Sequence, residues 1–87
     1  MKKSSRKHEL KCWPGPFGAL LDGTKTFEYR KNDRDFRAGD ILLLREWDPK
    51  RRKYMRRKAC YSVTYILHGG RFELPEGFCI MSVRGLS

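Results

Sequence analysis

The stretch that most constrains this chain is an aliphatic run answered by a long alternating one. Ile41-Leu42-Leu43-Leu44 places four aliphatic residues in succession, the mark of a strand buried on both faces. It continues as Arg45-Glu46-Trp47-Asp48, where alternation sets Trp47 on the face of Ile41 and Leu43, as a core residue. From Tyr54 the pattern resumes with Tyr61, Val63, Tyr65 and Leu67 on one side and Cys60, Ser62, Thr64 and Ile66 on the other. With Asp48-Pro49 opening a turn between them, residues 41–48 and 54–67 form an antiparallel hairpin whose tip is cationic.

Shorter elements surround this hairpin. His8 to Trp13 reads as a strand with Leu10 and Cys12 on one face. Pro14-Gly15-Pro16 breaks it and opens a helix, since proline is tolerated in a first helical turn. Phe17, Leu20 and Leu21 make its apolar stripe, and Asp22-Gly23 closes it with a glycine suited to the left-handed C-terminal position. Thr24 to Arg30 is the next strand: Thr26, Glu28 and Arg30 share one face, and Phe27 and Tyr29 are expected to be buried on the other. Lys31 to Asp35 has no apolar member and reads as a turn in which Asn32-Asp33 bonds the backbone. Ala38-Gly39-Asp40 and His68-Gly69-Gly70-Arg71 are turns, residues 72–77 a loop, and Phe78 to Val83 a final strand. Five short strands and one short helix in 87 residues point to a mainly β, α+β fold: a five- to six-stranded barrel, closed or nearly so, because closure removes exposed edges.

The net charge is +10, and its placement matters more than its size. Residues 1–7 carry four cations and residues 50–58 seven (Lys50, Arg51, Arg52, Lys53, Arg56, Arg57 and Lys58), with no acid in either segment. These 11 of the 20 basic residues leave 9 against 10 acids elsewhere, a net of -1. The domain, residues 8–87, is thus nearly neutral outside its basic projection at 50–58, and with the basic arm at 1–7, expected to be disordered, that projection makes a footprint for a polyanion. Three widely spaced cysteines, Cys12, Cys60 and Cys79, form neither a disulfide framework nor a zinc motif, and no metal or cofactor is expected. No apolar run approaches the ~18 residues of a membrane helix, so the expectation is a cytoplasmic protein with no membrane partner.

Several segments, taken together and in order, carry a resemblance: Glu9-Leu10-Lys11, Gly23 to Tyr29 (Gly-Thr-Lys-Thr-Phe-Glu-Tyr), Arg30 to Phe36, Gly39-Asp40 through Leu44-Arg45-Glu46-Trp47-Asp48, Leu74-Pro75-Glu76-Gly77-Phe78 and Ile80-Met81-Ser82-Val83. They resemble the ASCH domain of the PUA-like superfamily, in a short bacterial and phage branch, over roughly residues 8–84. The resemblance implies a small β-barrel with a helix beside a cleft, and an association with RNA or nucleoside recognition. Some ASCH proteins remove the acetyl group from acetylated cytidine with a Lys in a Gly-x-Lys-Thr motif, a Thr three residues later and a more distant Glu. The Lys corresponds to Lys25, the Thr position holds Glu28, and neither Glu73 nor Glu76 aligns with the Glu.

The expectation is therefore a non-catalytic nucleic-acid-binding module, favouring RNA. Its cleft would consist of Lys11, Lys25, Glu28 and Arg30, with Trp47 as a candidate base-stacking residue at the barrel mouth. An arginine supplies planar, bidentate recognition of a phosphate or base edge, and a glutamate can orient it or accept from an exocyclic amine. Residues 50–58 would hold phosphates. The alternative is an amidohydrolase acting on a modified nucleoside, with Lys25 and Glu28 as its catalytic pair.

Overall fold

The computed structural model describes residues 6–86. Its elements are β1 (Lys7–Cys12), α1 (Pro14–Asp22), β2 (Phe27–Lys31), β3 (Ile41–Asp48), β4 (Lys53–His68) and β5 (Phe78–Gly85). The strands form one sheet in the order β1-β3-β4-β5-β2, with β1 parallel to β3 and every other pairing antiparallel. The sheet curls into a half-barrel. Its concave face and α1 enclose a core of Leu10, Cys12, Phe17, Leu20, Phe36, Leu42, Leu44, Tyr61, Val63, Cys79 and Met81. No helix is long and apolar enough to cross a membrane.

The five strands, the helix and the cationic hairpin are those expected. Of the arm expected at 1–7, residues 1–5 lie outside the described residues. Lys7 opens β1, while Arg6 reaches the fully buried Asp40 at 3.0 Å, so these two belong to the folded domain. Asp40 Oδ2 also lies 2.9 Å from His8 Nε2 and accepts the Arg37 amide at 3.0 Å, pinning the β2–β3 connection to the start of β1. In the polar run, Asn32 Oδ1 accepts the Phe36 amide at 2.9 Å and turns the chain so that Phe36 enters the core.

Three strand faces differ from expectation. In β2, Phe27 and Tyr29 lie on the outside and Glu28 on the inside. In β4, Val63 pairs with Val83 and Tyr65 with the adjacent Ser82, so Thr64 is an extra residue that forms a bulge. Tyr61 and Val63 point inward, but beyond the bulge it is Ile66 that packs on the core and Tyr65 that is exposed. Trp47 does not enter the core: β3 buries Leu42, Leu44 and Glu46, and Trp47 lies half-buried on the outer face. A second irregularity lies opposite, because Arg45 pairs with Lys58 and Trp47 with Tyr54. The single residue Glu46 thus faces Met55, Arg56 and Arg57.

Candidate functional site

The two outer strands of the sheet, β1 and β2, run antiparallel to each other across the opening of the half-barrel. No backbone hydrogen bond joins them among the described residues. Arginine side chains span the gap instead. Arg30 Nη2 donates to the Lys11 carbonyl at 2.6 Å and Arg34 Nη1 to the Glu9 carbonyl at 3.1 Å; Arg6 Nη2 donates to the Asp35 carbonyl. Glu9 and Lys11 are two apart on β1, so both carbonyls point to the same edge. This seam is stitched by side chains where a closed barrel would have a ladder.

Glu28 sits beside the Arg30 stitch. It is only 3% exposed, and a buried carboxylate needs charge partners. Lys25 Nζ contacts its Oε1 at 2.7 Å and Arg30 Nε its Oε2 at 2.8 Å. Lys25, held just past the C-terminus of α1, also donates to the Phe27 carbonyl at 2.7 Å. Three charges in a row give the group a net +1. By donor inventory, Lys25 keeps one N–H and Arg30 three beyond those already used. The group can therefore take an anion or a carbonyl edge while staying fixed in place.

These residues line an open cleft of about 430 Å³ together with Lys11, Cys12, Trp13, Pro16, Tyr29 and Lys31. Trp13, the residue before α1, is 59% exposed at this cleft and offers an aromatic face. Cys12 lies behind the group. Burial first, and then the nearby Glu28 carboxylate, push its thiol up to about 11, with Arg30 and Lys25 pulling the other way. It is a neutral thiol at physiological pH and no nucleophile. Burial, aided by Cys12 and Glu28, raises the Tyr61 hydroxyl as well.

The basic hairpin divides into two classes of cation. Asp48 builds the turn: its Oδ1 accepts the amides of Lys50 (2.9 Å) and Arg51 (3.2 Å), and its carbonyl accepts that of Arg52 at 2.7 Å. The Arg51 amide first, and then that of Lys50, hold the Asp48 carboxyl below its ordinary value. Arg51 stays 3.7 Å from Asp48, and Arg57 forms a fork with Glu46 (3.1 and 3.0 Å) while its guanidinium lies 5.2 Å from the Phe17 ring. The fork holds the Glu46 carboxyl low. Lys50, Arg52, Lys53, Arg56 and Lys58 make no ion pair among the described residues.

A family model described as a domain of unknown function, DUF3850, matches residues 7–83, which contain both the cleft and the hairpin. The chain belongs to the DUF3850 family. It is also similar to a protein of Escherichia phage P2 described as an uncharacterised 12.9 kDa protein in the GpA 3′ region, with 45% identity over 40 residues. That match takes in 46% of this chain and 37% of the phage protein, so the chain spans little more than a third of that relative's length.

In this DUF3850 domain Lys11, Lys25, Glu28 and Arg30 line one cleft, and Trp47 does not. Lys11 contributes its carbonyl to the seam, while its ammonium lies 3.9 Å from the Trp47 ring centroid on the outer face. There Tyr54 packs edge-on against Trp47, and Arg45 lies over Tyr54 at 3.8 Å. Six of the seven hairpin cations remain on the outer hairpin, and Arg57 is drawn to Glu46. Sequence reading missed Trp13, Cys12 and the stitching Arg34. The Trp13-Pro14 junction, an aromatic held immediately before a helix, was the one available signal for the first. Among the described residues no cluster of three or more His, Cys, Asp or Glu is placed to hold a metal ion.

Proposed function

We propose that this domain is a nucleic-acid-binding module of the PUA-like, ASCH kind with RNA as its favoured ligand. The hairpin grips phosphates and the seam cleft receives one nucleotide. The observation that carries this is the contrast between cations. Lys25 and Arg30 at the cleft and Arg57 beside it are tied to carboxylates of the fold, whereas Lys50, Arg52, Lys53, Arg56 and Lys58 lie together on one hairpin and form no ion pair among the described residues. Five like charges on one hairpin repel one another, and a polyanion reverses the sign of that energy. In the cleft, the Lys25–Glu28–Arg30 group offers N–H donors to a phosphate or base edge and Trp13 a stacking face. The resemblance to ASCH domains favours RNA over DNA. If five phosphates are neutralised, the logarithm of the association constant for single-stranded RNA falls with log salt at a slope of about −3.5. Fluorescence anisotropy across a salt series reads it, and a slope near zero overturns the proposal.

One observation favours a second reading, an amidohydrolase of acetylated cytidine: Lys25 and Glu28, its candidate catalytic pair, are in contact at 2.7 Å inside the cleft. Acetate release that disappears in Glu28→Gln would establish it. Intact substrate at high protein concentration would exclude it.

A further inference from the structure

The outer face of β4, β5 and β2 lies apart from the basic hairpin, meets the cleft only at Tyr29 and Lys31, and is unusually aromatic. The register aligns Tyr65, Ser82 and Phe27 in one row across three strands, and Leu67, Ile80 and Tyr29 in the next. Tyr65, Phe27 and Tyr29 are 63%, 45% and 49% exposed, although a side chain of this kind is ordinarily well buried. Two features of the sequence expose them: the Thr64 bulge turns Tyr65 outward, and burial of Glu28 turns its neighbours out. Tyr29 is steadied by stacking on Phe78, with ring centroids 5.6 Å apart.

The charges around this face identify what it would hold. Exposed Arg84 precedes the first row, in register with Ser62, and exposed Lys31 follows the second, in register with Phe78. Lys25 Nζ lies 4.9 Å from the Phe27 ring. Neither β5 nor residues 61–68 of β4 contains an acidic residue, and the one acid of β2, Glu28, points inward. Tyr65 and Phe27 flank Ser82 in one row, two strand spacings or about 9.6 Å apart, so each ring can take one splayed base. Two copies of the chain packed face to face would bring Arg84 and Lys31 of each against the same cations of the other, which disfavours a dimer. A duplex keeps its base faces stacked and has none to offer.

We infer that the outer face of β4-β5-β2 is a stacking platform for single-stranded nucleic acid, using Phe27 and Tyr65 as base-stacking residues. This rests on the nucleic-acid reading and adds a second surface to it. The probe is a single-stranded oligoadenylate RNA carrying 2-aminopurine, titrated by fluorescence and anisotropy against the full chain. Wild-type protein quenches the probe. Phe27→Ala/Tyr65→Ala binds about tenfold or more weakly, since stacking contributes about 1–3 kcal/mol per base, and leaves the salt slope unchanged. Phe27→Tyr/Tyr65→Phe retains both quenching and affinity, which separates lost stacking from lost fold. Equal binding and quenching by wild type and the alanine variant overturns the platform while the salt slope still stands for the module. A wild-type dimer in sedimentation that the alanine pair dissolves also overturns it, in favour of self-association. No wild-type binding at low salt overturns both.

Discussion

At the scale of single residues, Glu28 shows how a charge comes to lie inside a small barrel. Its aromatic neighbours Phe27 and Tyr29 would ordinarily claim the inward face, yet it is the carboxylate that lies inside, bracketed by Lys25 and Arg30 so that its charge is not buried unpaired. Glu28→Gln keeps the shape, removes two charge-assisted bonds and leaves two cations without their counter-charge. It should lower stability by about 2–4 kcal/mol, seen as a shift in the urea midpoint with the slope unchanged. Cys12 supplies the pH test. Its folded value of about 11 exceeds the ordinary 9.0, so the folded state holds the proton more tightly. The resulting stability is complete below pH 9 and is lost as pH rises through 11. Cys12→Ala should flatten the alkaline decline of the thermal midpoint between those values, leaving the part due to Cys79, whose thiol burial also raises, and to Tyr61. A decline identical to wild type would contradict the assignment. The sequence placed Lys25, Glu28 and Arg30 on one site because two of them are two residues apart on a strand. It misplaced Trp47, since four consecutive aliphatics do not show which alternate set faces inward.

At the scale of elements, the strands were legible and their irregularities were not. Alternation is read by assuming unbroken pairing, but one extra residue at Thr64 moves Tyr65 from the core side to solvent. The mismatch opposite Glu46 likewise folds Arg57 back onto that carboxylate, which no spacing rule announces. The mismatch opposite Glu46 gives separable consequences for adjacent residues. Arg57→Ser should lower stability and raise the pH at which acid unfolding begins, because the fork that keeps Glu46 ionised is gone. Arg56→Ser should leave the melt unchanged and weaken RNA binding, reducing the magnitude of the salt slope by about 0.7. The reverse pattern would refute the division between structural and ligand-facing cations. The β4–β5 connection is tighter. A Cβ at Gly69 would stand 1.9 Å from the Pro75 carbonyl oxygen and 2.8 Å from that of Phe78. Gly69→Ala should therefore cost about 3 kcal/mol or more, measured by chemical denaturation, because backbone cannot yield as a side chain can.

At the scale of the whole molecule, the half-barrel is held by two kinds of bond. Four strand pairings are backbone ladders, two of them interrupted by a bulge, and the fifth boundary is crossed by guanidinium groups from Arg30, Arg34 and Arg6. Ladder amides are protected until whole strands separate, whereas amides facing a side-chain-bridged boundary need only a local opening. In deuterated buffer, the seam-facing amides of β1 and β2 should lose their protons well before those of β3 and β4. In residue-resolved exchange the boundary would appear as a fast-labelling stripe running the length of the protein, crossing the cleft beside Glu28. A ligand seated there would darken that stripe, so the timing of isotope uptake would report occupancy of the site before the ligand's identity is known.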